Sequence, residues 1–117
     1  MYSAQVLDHF QNPRNAGDLP DFTVSVEVHN PACGDVLQLS LKVEHGKISD
    51  IRFRARGCVA SVACASAITE LVKGRSPAEA RQLRREEIVE KLGGLPEASM
   101  HASHLAMDAL SAALKKL

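Results

Sequence analysis

The segment Asn30-Pro31-Ala32-Cys33-Gly34-Asp35 places a thiol and a carboxylate two positions apart, between Pro31 and Gly34. Deprotonated, both side chains are metal ligands, one soft and one hard. A second thiol, Cys58, follows Gly57 at the end of a strand-like run, and a third, Cys64, lies further on. His101 opens the last apolar stretch, with His104 one helical turn beyond it. Cys33, Asp35 and Cys58, joined by His101, make the candidate metal-ligating set. Each member also has a plainer reading. Asp35 could cap backbone donors of the turn while Cys33 fills a small apolar space. His101 alone could be a surface histidine at a loop edge. Cys64 shares a helical stripe with Ile68 and Leu71, which reads as core, the alternative being a spare ligand or a redox partner for Cys58. His9, His29 and His45 have no comparable partners and read as surface residues.

Local periodicity says which elements carry these groups. Tyr2, Val6 and Phe10 fall at i, i+4 and i+8, a short amphipathic helix stopped by Asn12-Pro13. From Phe22 to His29 the chain alternates, with Val24, Val26 and Val28 on one face. Val36 to Glu44 alternates again, His45-Gly46-Lys47 turns, and Ile51, Phe53 and Ala55 alternate with Arg52, Arg54 and Arg56. Three strands with short connections predict an antiparallel meander with one solvated face. In a meander the third strand returns to the end where the first one left, so Gly57-Cys58 emerges beside the loop carrying Cys33 and Asp35. Glycines beside both cysteines, Gly34 and Gly57, keep the backbone clear around a bulky guest.

An Ala- and Ser-rich helix is predicted from Ala60 to Lys73, stopped by Gly74. Cys58 lies just before its N-terminus, where the helix dipole and free backbone donors favour a thiolate. Ser76-Pro77-Ala78-Glu79 is a capping-box signature opening a helix through Leu83. Another helix crosses Glu86 to Leu92, Gly93-Gly94 ends it, and a last long helix runs from His101 to the C-terminus. The expected fold class is α+β: a three-stranded antiparallel meander covered on one face by helices, with a short N-terminal and a long C-terminal helix, in one domain over residues 1–117.

The totals narrow the function. Lys+Arg 14 balances Asp+Glu 14, so no bulk charge draws the chain to nucleic acid or anionic lipid. Aromatic residues are 3%, without tryptophan, which leaves little for stacking bases. No apolar run approaches membrane-spanning length and no basic-then-apolar leader precedes Tyr2, so a cytoplasmic location is expected. Three cysteines are an odd number, better suited to ligating or reactive thiols than to a disulfide framework. The Arg52, Arg54, Arg56 stripe reads first as a solvated face and second as a docking surface for an acidic partner. No nucleophile–base pair or phosphate cradle stands out, so an enzyme is not expected.

Tyr2-Ser3, Asp8-His9, Asn12-Pro13-Arg14-Asn15, Asn30-Pro31-Ala32-Cys33-Gly34-Asp35, Gly57-Cys58, Gly74 and His101-Ala102-Ser103 together resemble the iron–sulfur scaffold proteins of the IscU/NifU N-terminal type. The resemblance covers essentially the whole chain. The lack of an insertion between Cys58 and His101 is more similar to the IscU branch than to the SufU branch. It implies a protein that takes sulfur from a cysteine desulfurase, binds iron, assembles a transient [2Fe–2S] cluster and passes it to apo iron–sulfur recipient proteins, helped by a chaperone pair. Zinc can occupy the same site. The family's ligands map onto Cys33, Asp35, Cys58 and His101, and its aspartate is associated with cluster lability. Two positions depart from the pattern. The family reads His-Cys-Ser where this chain has His101-Ala102-Ser103, so the third family cysteine, a ligand and persulfide acceptor, is missing. The family's chaperone-recognition stretch, Leu-Pro-Pro-Val-Lys, is here Leu95-Pro96-Glu97-Ala98-Ser99. The first departure keeps an alternative in play: a zinc-binding relative that modulates a desulfurase or carries persulfide without building clusters.

Overall fold

The structure, a computed structural model, describes residues 1–31 and 34–117. Cys33, the first expected ligand, therefore lies outside the described residues. Three strands, β1 (Val24–His29), β2 (Val36–Glu44) and β3 (Lys47–Arg56), form one antiparallel sheet in the order β1-β2-β3. The register pairs His29 with Val36 and Val36 with Arg56, so the β1–β2 loop and the exit of β3 share one end of the sheet. The β2–β3 turn is two residues, His45 and Gly46, both at positive φ (53° and 74°). That backbone matches the right-handed strand twist, as a type I′ hairpin requires. Leu37, Leu39, Leu41, Ile51 and Phe53 are buried on the inner face, as the alternation predicts, and Ile48, out of phase with them, is buried beyond a register shift at Lys42/Val43. On the far edge, Asn15–Gly17 bonds to Phe53 through both of its backbone groups.

Against the inner face lie α2 (Val59–Val72) and α5 (Met100–Lys115), flanked by α1 (Ala4–Gln11), α3 (Pro77–Ala80) and α4 (Arg85–Lys91). The long helix α2 departs from the simple stripe. Ala60, Ala63, Cys64, Ala65, Ser66, Ala67, Ile68 and Thr69 are buried, while Leu71 is only half-buried. A helix buried on nearly all sides is apolar or small all round. Alanine and serine let the sheet, α1 and α5 approach its backbone together. The helix expected through Leu83 is shorter: beyond Ala80 the bonds tighten to i→i−3, Gln82 N to Glu79 O and Leu83 N to Ala80 O, and the regular helix ends. Leu83 is nevertheless buried.

Two expectations fail at α1. Phe10 is 40% exposed, and the residue turned inward beside Val6 is His9, at 5%. Its Nδ1 lies 2.7 Å from Ser66 Oγ on α2, and its Nε2 lies 3.6 Å from Glu70 Oε1. Ser66 Oγ already accepts from the Arg14 backbone N–H at 2.9 Å. A network in which the Ser66 hydroxyl donates to Nδ1 leaves the ring proton on Nε2, facing Glu70. So a polar contact, not the aromatic ring, sets how α1 rolls onto α2. Burial, followed by the positive charge of Arg14, holds the His9 pKa below its ordinary 6.5, while Glu70 opposes the shift. The unfolded chain therefore binds this proton more readily than the folded one. His9 stabilisation is complete above pH 6.5 and is lost as pH falls below it. In melts from pH 8 to pH 5, a His9→Gln variant is expected to show a shallower fall in Tm than the parent; parallel curves would contradict it.

Candidate metal centre

Asp35 ends the β1–β2 loop, held there by backbone bonds between Asn30 N and Asp35 O and between Gly34 N and Asn30 O, both 2.8 Å. Cys58 is the N-cap of α2, with extended φ and ψ and no side-chain capping bond. Its carbonyl accepts from Ser61 N and Val62 N, leaving the thiol to face the loop. His101 sits in the first turn of α5. Its Nδ1 is 3.2 Å from the Ala98 carbonyl oxygen, which can only accept. A proton on Nδ1 satisfies this contact and leaves the Nε2 lone pair for a metal.

These three side chains converge. Cys58 Sγ is 3.6 Å from Asp35 Oδ2 and 3.9 Å from His101 Nε2, and Nε2 is 3.6 Å from Oδ2. Among the described residues they are the one group of three His, Cys, Asp or Glu side chains close enough to share an ion. A tetrahedral ion with bonds of about 2.0–2.3 Å needs donor–donor edges of roughly 3.3–3.6 Å. The triangle is thus near the size of one tetrahedral face. Asp35 is 4% exposed, whereas Cys58 and His101 are half-buried. The carboxylate forms the floor and the thiol and imidazole the rim. His101 and His104 both line a neighbouring open cavity with His29 and Asn30, on the outer side of that rim.

Gly57 and Gly34 serve different needs. A methyl group at Gly57 would lie 2.5 Å from Asp35 Cγ, so the missing side chain is the space the carboxylate occupies. At Gly34 an added carbon meets nothing within 4 Å among the described residues, and the φ of +74° is what calls for glycine. Cys64 stands apart. It is fully buried in the core, and burial, with a smaller contribution from Cys58, pushes its thiol up to about 12. Burial and a raised pKa favour the core reading of this thiol over the spare-ligand or redox reading. Ala102, 1% exposed, is also part of the core. The arginine stripe is partly spoken for. Arg54 forms a forked pair with Asp18 at 2.5 and 3.0 Å, and Arg52 pairs with Asp50 at 3.0 Å. Among the described residues Arg56 is the member of the stripe without an ion pair, which weakens the docking-surface reading.

Sequence reasoning missed Ser61. Its hydroxyl is buried, donates to Asp35 Oδ2, and lies 3.2 Å from Cys58 Sγ. The available signal was Cys58-Val59-Ala60-Ser61, the N-cap-to-N3 spacing of a capping box, with a thiol as the cap.

The whole chain, residues 1–117, matches the family model described as the NifU-like N terminal domain. An iron–sulfur cluster assembly scaffold protein IscU 1 from Archaeoglobus fulgidus is 46% identical over 114 residues, covering 97% of this chain and 74% of that protein. The iron–sulfur cluster assembly scaffold protein IscU of Escherichia coli K12 is 44% identical over 117 residues, covering 97% and 91%. The solved N-terminal part of a nitrogen-fixing NifU-like protein from Brucella abortus superposes with a TM-score of 0.77 at 20% identity, over 97% of this chain and 92% of that one, which speaks for the fold alone. With a family match over its full length and IscU relatives at this identity, the chain belongs to the NifU-like N-terminal domain family.

Proposed function

We propose that this protein is an iron–sulfur cluster assembly scaffold: iron and sulfide are its cargo, joined on the protein into a [2Fe–2S] cluster and then handed to apo-proteins. The observation that carries the reading is the convergence of Asp35 Oδ2, Cys58 Sγ and His101 Nε2 into a triangle of metal-binding size, in a chain of this family. Cys33, two positions before Asp35, is the proposed fourth ligand. Thiolates hold iron firmly, and a hard carboxylate among them holds it less firmly. Asp35 therefore favours release, which a scaffold needs and a resident cofactor site does not. The half-buried rim at Cys58 and His101 is the side from which sulfur from a cysteine desulfurase arrives and from which recipients, with a chaperone pair, draw the cluster. The role is that of a scaffold rather than of an enzyme. Zinc, with the same tetrahedral preference, fits the same donors.

Anaerobic reconstitution with ferric iron and sulfide is expected to give visible sulfur-to-iron charge-transfer absorption and two irons and two sulfides per site. Stoichiometric zinc binding with no such absorption would refute the cluster reading and leave a zinc site.

A further inference from the structure

Ser61 occupies the third helical position of α2, one turn beyond Cys58. It is 4% exposed, and its hydroxyl reaches the loop rather than its own helix backbone. Two side chains of the candidate centre meet there: Asp35 Oδ2, which accepts its hydrogen, and Cys58 Sγ at 3.2 Å. The same Oδ2 that accepts from Ser61 lies 3.6 Å from Cys58 Sγ and 3.6 Å from His101 Nε2, so the Ser61 bond acts on the corner of the triangle that the carboxylate supplies. A carbon added at Gly57 would run into Oδ1 and Cγ of the same carboxylate, so this orientation has room only while no side chain stands there.

We infer that Ser61 is a positioning residue of the metal centre, holding the Asp35 carboxylate so that Oδ2 faces the ion. This deepens the scaffold reading and rests on it. Ser61 comes from the helix turn that supplies Cys58, whereas Asp35 comes from the loop across the sheet end. The hydroxyl thus ties the loop ligand to the helix ligand and sets their spacing before an ion arrives. Hydrogen-bond partners of metal ligands typically contribute tenfold to a hundredfold in affinity.

Anaerobic titration with Co2+ tests this, following both the thiolate-to-cobalt charge-transfer band and the d–d bands. Ser61→Ala is expected to weaken Co2+ binding about tenfold to a hundredfold and to shift the d–d bands, because a carboxylate that loses this bond changes the ligand geometry. In an Asp35→Ala background the same change is expected to have little further effect, since Ser61 acts through Asp35. Parental affinity and d–d bands in folded Ser61→Ala would overturn the inference, as would a full additional loss in the Asp35→Ala background. Ser61→Gly, which also lacks the hydroxyl, is read instead should Ser61→Ala melt below the assay temperature. The parent protein separates the two claims. Absence of charge transfer in the parent overturns the metal centre and Ser61's role together, whereas charge transfer in the parent with no Ser61 effect overturns only the latter.

Discussion

Cys58→Ala is expected to weaken Co2+ binding by roughly two to three orders of magnitude and to abolish a stable [2Fe–2S] cluster, with little loss of fold. The magnitude follows from structural four-ligand metal sites, which bind with about 10–16 kcal/mol, or roughly 2.5–4 kcal/mol per ligand. Preservation of the fold follows from the cap. Cys58 is the N-cap of α2 but makes no side-chain capping bond, so alanine removes no backbone partner. Cys58→Ser sharpens the test. Serine is among the favoured N-cap residues, and its shorter hydroxyl can bond a free backbone N–H of the first turn, a contact typically worth about 1 kcal/mol. This variant is expected to melt higher than the parent while losing the metal. The thiol thus holds a position where a different residue would serve the helix better, a common bargain at functional sites. Metal titration with parallel thermal melts of the three proteins checks both arms. Unchanged Co2+ affinity in Cys58→Ala would remove Cys58 from the ligand set.

The second large effect is expected at a residue that binds nothing. Gly57→Ala puts a carbon within 2.5 Å of Asp35 Cγ, at a backbone φ of +155° that side chains rarely adopt. Of the two partners, the carboxylate is the easier to move, because the Gly57 backbone is fixed between the end of β3 and the cap of α2. Asp35 is driven off its place beside Cys58, and its bond to Ser61 goes with it. Co2+ affinity is expected to fall about a hundredfold, the upper range for losing ligand orientation. Backbone strain adds roughly 1–3 kcal/mol of destabilisation. An Asp35→Ala background separates the two contributions. There the affinity effect of Gly57→Ala is expected to shrink while the change in Tm persists. An affinity effect that stays at full size without the carboxylate would mean that Gly57 acts on another part of the site.

Much of this was legible in the residues. Period-two alternation located the sheet to within a few residues, and β2 spans Val36–Glu44 as expected. The same alternation implied that the β1–β2 loop and the β3 exit share one end, and the register places Asp35 and Cys58 there together. The capping position of Cys58 and the turn at His45-Gly46 were likewise local matters, written in neighbouring residue types. His9 was not legible. Its burial depends on Ser66 and Glu70, more than fifty positions away, and nothing in α1 alone favours an imidazole over the Phe10 ring on the inward face.

By itself the sequence determined the strand pattern, the turn chemistry, and the residue types of a soft and hard donor set. These depend on steric and hydrophobic preferences within a few residues of one another. Tertiary structure alone decided how the donors are arranged. It gave α2 close neighbours on nearly every side, turned the Ser61 hydroxyl onto Asp35, and converted the absent side chain of Gly57 into room for a carboxylate. The physical reason is that these are contacts between elements far apart in the chain. Packing density and unshared polar atoms choose among many locally equivalent side-chain directions only once the sheet and helices have closed on one another.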